Sequence, residues 1–471
     1  MNNIVWFRSD LRVFDNPALV AAMQSGPVIA VYCLTPGQWD KHDVSMRKRA
    51  LIRDQLRTLE QQLAQLNVPL LVLSCDSFID LPDKLVAFSD HHDGNQIFCN
   101  LEYELNEQAC LKAVAIAGGK KNIDVFAYHD QCMIAPGEVL TQAGQPFKVF
   151  SAFKRSYCAY FPRLIRPLHN RPAVQPPLAI VSDLQVLATL EGLPDVSEQW
   201  PAGEEEAHHR LNSFLEQQAQ FYHEQRDFPA LDGTSSLSPY LAIGAITTRQ
   251  CVQAALSLND GLLTEGKPGL VSWINELIWR DFYRHLLALT PRLCKHQPFL
   301  EDTDQLPWRG DGALFQAWCE GNTGFPLVDA AMRQMNQTGW MHNRLRMVCA
   351  MFLTKDLFVD WRLGERYFMQ QLIDGDFASN NGGWQWSAST GVDAAPYFRI
   401  FNPALQSKRF DPNGEFIRTY IEEFRGIPDK LIHSPDSQLA DSVGYPQPIV
   451  NHAAAVADVK RWFQELKAEK V

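Results

Sequence analysis

The sequence has no apolar run long enough to span a membrane, and its N-terminus, Met-Asn-Asn-Ile-Val-Trp-Phe-Arg, has no signal-peptide pattern. A membrane helix needs about 20 consecutive apolar residues, and a signal peptide has a basic start followed by a short apolar stretch. We therefore predict a cytoplasmic protein without a membrane segment. No apolar stripe calls for a partner, so we also predict a monomer with no obligate protein partner.

Cysteine is present, but never in the patterns that bind metals or build a disulfide framework. The 10 cysteines are scattered from Cys33 to Cys349, with no Cys-x-x-Cys pair and no histidines at zinc-ligand spacing. Such spacing is what makes a zinc or disulfide site recognisable in a sequence. We predict that the protein has no metal site and that its cysteines are reduced and mostly buried.

A surplus of positive charge is also missing, because 43 Lys and Arg face 54 Asp and Glu, giving a formal net charge of -11. Neutralising the phosphates of a nucleic acid normally requires such a surplus. The balance excludes broad attraction to nucleic acid but leaves room for a local basic patch. Candidates for that patch are Lys148, Lys154, Arg155, Arg226, Arg344, Arg399, Lys408 and Arg409.

No G-x-G-x-x-G or Walker-type glycine loop occurs, although residues 1–130 alternate short apolar runs with longer amphipathic segments. This alternation is typical of βαβ units in a doubly wound parallel sheet. We therefore predict an α/β domain over residues 1–130 whose fold does not by itself imply NAD or ATP. The predicted strands lie at residues 4–7, 28–32, 69–73, 96–99 and 123–126.

Prolines interrupt any periodicity in residues 131–203, and long helical patterns containing most of the 12 tryptophans follow. We predict a long surface connector over residues 131–203 and an all-α domain over residues 204–471. One helix is expected over residues 270–287, ending before Pro291. A second helical pattern runs from 328 to 372, with breaks near 338–339 and 360.

Two segments of the helical part combine residues that suit a cofactor. Residues 374–386 hold two acids, two asparagines and two tryptophans around Gly382 and Gly383, which lack a Cβ and would let a planar ligand approach. Residues 233–244 form a hydroxyl-rich turn leading into a helical pattern, where hydroxyls and free amides could hold phosphate. The alternatives are a turn with buried tryptophans and simple N-capping.

Two helical patterns place polar and aromatic side chains on a common face. Trp273, Glu276 and Arg280 are three and four residues apart, and Asn343, Arg346 and Met347 also share a face. A carboxylate and an indole on one face could contact a planar substrate that forms hydrogen bonds. The alternatives are a surface ion pair and ordinary core packing.

These segments together resemble the photolyase/cryptochrome family over nearly the whole chain, most closely its bacterial class I cyclobutane pyrimidine dimer photolyases. The matching motifs span residues 6–12, 233–238, 273–283, 339–347 and 374–386. The resemblance implies an α/β domain joined by a long connector to a helical FAD-binding domain. It also implies a carbon–carbon lyase that repairs cyclobutane pyrimidine dimers in UV-damaged DNA by electron transfer from excited reduced FAD to a flipped dimer.

The resemblance also implies which residues surround FAD. Asn380 is expected to face N5 of the flavin, and Arg346 is expected to pair with Asp374 beside the ring. Plant cryptochromes have Asp where this chain has Asn380, so this residue favours a photolyase. The implied FAD residues are Tyr222, Thr234, Ser235, Ser236, Leu237 and Ser238 near the phosphates and ribose, and Trp273, Asn343, Arg346, Asp374, Gly375, Asp376 and Asn380 near the ring.

The substrate and electron-transfer residues follow from the same resemblance. Glu276 and Asn380 are implied as catalytic, and Trp384, Trp361 and Trp308 match the family's tryptophan chain, which carries an electron from the surface to oxidised flavin. Without that context the three tryptophans would be core residues. The implied DNA-binding residues are Arg226, Glu276, Trp279, Asn343, Arg344, Met347, Trp386 and Gln406.

An antenna chromophore and two competing functions complete the expectations. His42, Asn106, Glu107, Cys294 and Lys295 match positions associated with 5,10-methenyltetrahydrofolate in the family, so we expect folate rather than a deazaflavin. The main alternative is a cryptochrome-type blue-light receptor. An unrelated flavin oxidoreductase is a weaker alternative, because no nicotinamide motif is present.

Overall fold

The computed structural model describes residues 1–165 and 167–468. Arg166, in the predicted connector, and residues 469–471, at the end of the predicted helical domain, lie outside the described residues. The chain divides into two compact units. The predicted domain boundaries at residues 130 and 203 remain predictions. The first unit comprises Met1–Gln220, Ser235–Pro291 and Ile373–Gly375, and the second comprises Phe221–Thr234, Arg292–Leu372 and the chain from Asp376 onward.

The first unit contains the predicted parallel sheet. All its strand pairs are parallel, and the strand order is β3-β2-β1-β4-β5. Nearly every residue of β1 and β2 is buried, because helices cover a doubly wound sheet on both faces. The predicted α/β fold is thereby confirmed. The strands are β1 (Asn2–Phe7), β2 (Val28–Leu34), β3 (Leu70–Ser74), β4 (Gly94–Asn100) and β5 (Asp124–Tyr128).

Helices make up most of the remaining structure, and in chain order the eleven that come first belong to the first unit apart from α8. They are α1 (Pro17–Ser25), α2 (Pro36–Lys41), α3 (Met46–Ala64), α4 (Leu81–His91), α5 (Leu105–Gly119), α6 (Phe150–Leu164), α7 (Glu204–Gln217), α8 (Tyr222–Gln225), α9 (Ser238–Ile243), α10 (Thr248–Leu258) and α11 (Pro268–Leu289).

The second unit is helical, as predicted for the C-terminal part of the chain. A π-helical turn, Phe352–Asp356, continues from α14. Its helices, besides α8, are α12 (Gly312–Glu320), α13 (Pro326–Thr338), α14 (Asn343–Met351), α15 (Trp361–Gln371), α16 (Phe377–Ala388), α17 (Pro403–Phe410), α18 (Glu415–Tyr420), α19 (Asp429–Ile432), α20 (Ser437–Val443) and α21 (His452–Ala468).

The predicted connector is less irregular than its prolines indicate, because it contains α6. Pro146 precedes this helix and Pro162 lies in its last turn, so the intervening residues are free to form backbone hydrogen bonds. Phe153, Tyr157 and Phe161 form its buried face.

A large apolar cluster forms the core of the second unit, and its buried members include Trp318, Trp361 and Trp384. The packing around Trp384 is tight, since a Cβ added at Gly364 of α15 would clash with the indole. Among the described residues, no helix combines the length and apolar character that crossing a membrane requires.

Candidate functional site

One group of predicted residues lies at the carboxyl ends of the central strands. Arg8 follows β1, His42 follows α2, and Asn106 and Glu107 open α5. The strand order reverses between β1 and β4, and in doubly wound sheets the crevice at such a switch point is where ligands bind. The fold thus places three of the predicted antenna residues where this architecture usually holds a ligand.

Hydrogen bonds orient the His42 ring within this group. The side-chain amide nitrogens of Gln38 and Asn106 lie 2.8 and 3.0 Å from Nε2, whose single lone pair the two N–H groups share, so the ring proton is assigned to Nδ1. Nδ1 in turn lies 3.3 Å from a carboxyl oxygen of Glu107. His42 and Glu107 are therefore held together by a direct contact.

The carboxyl group of Glu107 has a raised pKa. Burial, followed by the negative charges of Glu104 and Glu102, raises its pKa to about 8, against an opposing effect of Arg8. The charge of Arg8 is balanced mainly by another residue, because its guanidinium pairs with Glu102 at 2.6 Å. It also lies 4.6 Å from the centre of the Trp6 ring. The raised pKa favours the protonated carboxyl group, which can donate as well as accept a hydrogen bond.

The hydroxyl-rich turn leads into α9, as predicted from the sequence. Ser236 has a positive φ of 48°, and the indole Nε1 of Trp273 donates to the hydroxyl of Ser235 at 3.3 Å. Trp273 is itself buried and packs on Phe214, with ring centres 5.0 Å apart. The turn is therefore fixed against α11.

The segment 374–386 is mostly helix rather than a loop. Asp376 caps α16 by accepting a hydrogen bond from the amide of Ser379 at 2.9 Å, and both glycines lie inside the helix. In the first unit, Asp374 is buried and the ammonium group of Lys48 donates to the carbonyl of Gly375 at 2.7 Å. Helical geometry therefore determines the spacing of the asparagines.

A buried carboxylate positions both asparagines of α16. The Asn380 amide donates to the backbone carbonyl of Glu365 at 2.9 Å, while the Asn381 amide donates to the Glu365 side chain at 2.7 Å. The second carboxylate oxygen lies 2.7 Å from Nδ1 of His296. Glu365 could not be found from the sequence. Its partners are 15 or more positions away along the chain, so no local pattern marks it.

A basic cluster forms in the second unit around two of the predicted DNA-binding residues. Arg344 pairs with Asp227 at 2.8 Å and lies 4.6 Å from the centre of the Phe410 ring. Arg226 lies 5.4 Å from the centre of the Tyr222 ring. The exposed Lys408 and Arg409 are on α17, so the chain gathers positive charge locally despite its negative total.

The three tryptophans of the predicted chain belong to one apolar cluster. Trp361 and Trp384 are buried in it, and the half-buried Trp308 packs against it. Trp308 also contacts Phe358, with ring centres 4.8 Å apart. The three indoles thus range from the core of the second unit to its surface.

Two family models match the chain, one in each half. The model described as DNA photolyase matches residues 3–175, and the model described as the FAD binding domain of DNA photolyase matches residues 273–465. A protein of Vibrio cholerae named deoxyribodipyrimidine photo-lyase is 47% identical over 95% of this chain and 96% of its own. The protein of that name in Escherichia coli is 44% identical over 96% of each chain. This chain belongs to the DNA photolyase family.

Solved photolyase-family structures share the fold along the whole chain. A class III photolyase from Agrobacterium tumefaciens, 31% identical, superposes with a TM-score of 0.88 and covers 99% of this chain and 98% of its own. An archaeal photolyase from Sulfolobus tokodaii with two FAD molecules, 29% identical, gives 0.85 and covers 99% and 100%. A cryptochrome of Synechocystis, 26% identical, gives 0.86 and covers 98% of each chain.

The remaining photolyase-type residues are distributed over both units. In the first unit, Glu276 and Trp279 are half-buried on α11, and Leu237 and Ser238 lie at the start of α9. In the second unit, Asn343 is exposed at the start of α14, while Cys294 and Lys295 lie in a 3₁₀ turn. The predicted pairing of Arg346 with Asp374 remains a prediction. Other predicted residues of the second unit are Thr234, Met347, Asp376, Trp386 and Gln406.

One group in the described part of the chain has the side chains that a metal ion could bind. Potential ligand atoms of Cys132, Asp281 and His285 lie within 4.8 Å of one another. Spacing could not reveal this group, because Cys132 is far in sequence from the other two. The hydroxyl of Tyr157 donates to Asp281 at 2.6 Å, and Nε2 of His285 donates to the Ile134 carbonyl at 2.9 Å. These hydrogen bonds hold α11 against Tyr157 and the Ile134 backbone. The absence of a metal site remains a prediction.

The raised pKa of Glu107 predicts a pH-dependent effect of Glu107→Gln on stability. Folding raises this pKa from its ordinary 4.5 to about 8, so the folded state holds the proton more tightly and loses stability as pH rises through that window. Glutamine cannot ionise. Urea unfolding should be measured from about pH 5 to pH 9. Over this range the free energy of unfolding of Glu107→Gln should rise by about 1 kcal/mol or more relative to that of the wild type, because one pKa unit corresponds to about 1.4 kcal/mol.

The exposed Glu138 provides the matched control, since Glu138→Gln makes the same substitution at a surface position and should keep the pH dependence that Glu107 causes. Parallel stability curves for Glu107→Gln and the wild type would contradict the assigned pKa.

Proposed function

We propose that this protein repairs cyclobutane pyrimidine dimers in UV-damaged DNA under blue light, as a deoxyribodipyrimidine photo-lyase. The observation that carries the proposal is the 47% identity with the Vibrio cholerae protein of that name across 95% of the chain. Similarity of this extent includes the segments that bear the candidate substrate residues. The motifs at residues 273–283 and 339–347 lie within the matched FAD binding domain.

Two features of the chain fit FAD. The Asn380 amide is held through its NH₂ group, which leaves its carbonyl oxygen to accept from an N–H group of a ligand. A Cβ added at Gly383 would meet no atom within 4 Å, so a planar ring can approach the backbone there. When bound, reduced FAD supplies a light-driven electron that opens the dimer and is then recovered. The residues proposed to hold it are Tyr222, Thr234, Ser235, Ser236, Leu237, Ser238, Trp273, Asn343, Arg346, Asp374, Gly375, Asp376 and Asn380.

The substrate residues have tasks that follow from their chemistry. Photolyases are among the enzymes that take their target out of the base stack, so aromatic rings are needed to receive it. Trp279 and Trp386 provide stacking faces, and Glu276 forms hydrogen bonds with the polar edge of a thymine. Asn343, Met347 and Gln406 complete the proposed contacts with the dimer and its strand.

Phosphate binding is proposed for Arg226 and Arg344, because guanidinium groups bind phosphate in two-pronged geometry. Asp227 already pairs with Arg344 and holds this guanidinium in place. The side chain therefore loses less conformational entropy when DNA binds. The neighbouring Lys408 and Arg409 add exposed positive charge. Such a local cluster reconciles DNA binding with a net charge of -11.

We also propose that Trp308, Trp361 and Trp384 provide an electron route between the protein surface and the interior of the FAD-binding domain. Membership of one cluster, in which Trp308 is half-buried and both Trp361 and Trp384 are buried, supports Trp308 as the outer end of the route. The route would restore the reduced cofactor and would not take part in repair itself.

For the antenna we propose 5,10-methenyltetrahydrofolate, held by His42, Asn106, Glu107, Cys294 and Lys295. The position of the first three residues at the switch point of the sheet supports this proposal. Because its pKa is raised, Glu107 can be protonated and can then both donate to and accept from the adjacent polar atoms of a pterin edge. The Sulfolobus tokodaii photolyase with two FAD molecules makes a second FAD the competing chromophore.

The second candidate function is a cryptochrome-type blue-light receptor, supported by the likeness to the Synechocystis cryptochrome. Its 26% identity is well below the 47% shared with the Vibrio cholerae photolyase, so repair is favoured. A cytoplasmic location and a monomer without an obligate protein partner remain predictions.

Repair should require light, reduced protein and Glu276. An oligonucleotide with one thymine cyclobutane dimer should recover its ultraviolet absorbance in blue light and not in darkness. Glu276→Gln should lower the repair rate about tenfold at unchanged flavin content, because one hydrogen bond to the substrate weakens. Recovery in darkness, or none in light with the dimer bound, would contradict the repair function.

Trp308→Phe should separate photoreduction from repair. Phenylalanine is harder to oxidise, so light-driven reduction of oxidised flavin in the presence of an external thiol should slow strongly. Chemically reduced variant should repair DNA as the wild type does. Trp462→Phe is the matched control, because Trp462 and Trp308 both pack on Phe358. Their ring centres lie 4.0 and 4.8 Å from that of Phe358. Equal slowing in both variants would refute the route.

Glu107→Ala should weaken the antenna specifically. After incubation with 5,10-methenyltetrahydrofolate, the wild type should retain a near-ultraviolet band through gel filtration and the variant should lose most of it. Glu138→Ala should behave as the wild type. A wild type that retains no folate, or that carries more than one FAD per chain, would show the folate proposal to be wrong.

A further inference from the structure

Phe150 stacks directly on Trp279, one of the proposed dimer-stacking residues. The two ring centres are 3.6 Å apart and the ring planes differ by 9°, so the rings overlap almost completely. Aromatic pairs more commonly adopt offset or edge-to-face arrangements with wider spacing. Overlap of this kind covers one face of the half-buried Trp279 indole.

Helix α6, which begins with Phe150, is firmly attached to α11. Phe150, Phe153 and Tyr157 are three and four residues apart and share one face of α6. The Tyr157 hydroxyl donates to the buried carboxylate of Asp281 at 2.6 Å, and the Phe153 ring lies 5.0 Å from that of Phe282. Phe150 therefore extends a buried interface to the half-buried indole of Trp279.

Neighbouring rings on α11 limit the indole further. Phe282 meets Trp279 edge to face, with ring centres 5.6 Å apart and planes at 76°. The Tyr283 ring lies at the same distance with planes at 32°. Phe282 is thus an edge contact and Tyr283 a tilted one at wider spacing, whereas Phe150 is the ring that stacks in parallel on Trp279 among the ring pairs of the described residues.

We propose that Phe150 is a positioning residue for dimer recognition, which holds the Trp279 indole in one orientation and leaves a single face open to the flipped dimer. The inference rests on the proposed function, because it assigns a role to Phe150 only through Trp279. A fixed indole loses little side-chain freedom when a base stacks on it, so binding costs less entropy. Without Phe150, the indole could turn about its side-chain bonds, and a base could enter on either face.

The test measures binding of reduced holo-protein, in darkness, to two otherwise identical oligonucleotides with and without one thymine dimer. Phe150→Ala should weaken binding to the dimer about three- to tenfold, the equivalent of one aromatic pair, and leave binding to undamaged DNA unchanged. Phe150→Trp should restore most of the affinity. Phe150→Leu keeps apolar bulk without a flat face and should rescue thermal stability more than dimer affinity.

A double-mutant cycle decides whether Phe150 acts through Trp279. In a Trp279→Ala background, Phe150→Ala should cause little further loss of dimer binding, since coupled residues are not additive. Phe147→Ala is the matched control, because Phe147 contacts Phe153 with ring centres 6.1 Å apart and belongs to the same segment. It should leave the preference for the dimer intact.

Additive losses in the cycle, full affinity in Phe150→Ala, or an equal loss in Phe147→Ala would each overturn the positioning role while leaving the repair proposal standing. A Trp279→Ala protein that still prefers dimer-containing DNA would refute the stacking role of Trp279, and the inference with it. A wild type with no preference for the dimer would refute the proposed function itself.

Discussion

The hydrogen bonds to the buried carboxylate of Asp281 fix the helix on which much of the proposed substrate site depends. Asp281 accepts from the Tyr157 hydroxyl at 2.6 Å and from the amide of Met133 at 2.8 Å. Both donors come from the segment between the sheet and the later helices, so α11 is attached to a part of the chain far from it in sequence. With α11 fixed, helical spacing determines where Trp273, Glu276 and Trp279 lie.

A second buried carboxylate has the same effect in the other unit. Glu365 holds Asn380 through its backbone carbonyl and Asn381 through its side chain, and His296 binds the remaining carboxylate oxygen. Leaving a buried carboxylate without partners is costly, and each of these contacts therefore stabilises a definite side-chain orientation. In both units, polar groups with no proposed contact to substrate or cofactor determine the positions of residues proposed to contact them.

The sequence predicted the elements whose signals are local. All five strands lie within three residues of their predicted ends, and the helical breaks near residues 338–339 and 360 correspond to Gly339, with a φ of 73°, and to Asp360, which caps α15. Glycine and aspartate act here through their own backbone and side chain, so one sequence is enough to find them.

Features that depend on contacts between distant residues could not be found in this way. Helix α16 continues through Gly382 and Gly383, although glycine costs about 1 kcal/mol relative to alanine in a helix, because Asp376 caps it and Trp384 packs in the core. Glu365 and Phe150 carry no motif, and only the folded chain brings them to Asn380 and Trp279. Residue patterns alone singled out the hydroxyl-rich turn, residues 374–386 and the shared face of Trp273 and Glu276. Resemblance to a family supplied the roles of the candidate residues, and the structure supplied their supporting contacts.

The central claim is that these residues hold a pyrimidine dimer where a light-driven electron can reach it. The most direct measurement is the excited-state lifetime of the reduced flavin in the holo-protein, with saturating undamaged or dimer-containing oligonucleotide. The account predicts a shorter lifetime only with the dimer, repair of the dimer, and flavin that is still reduced afterwards. An unchanged lifetime with the dimer bound, or flavin left oxidised after each repair, would contradict it.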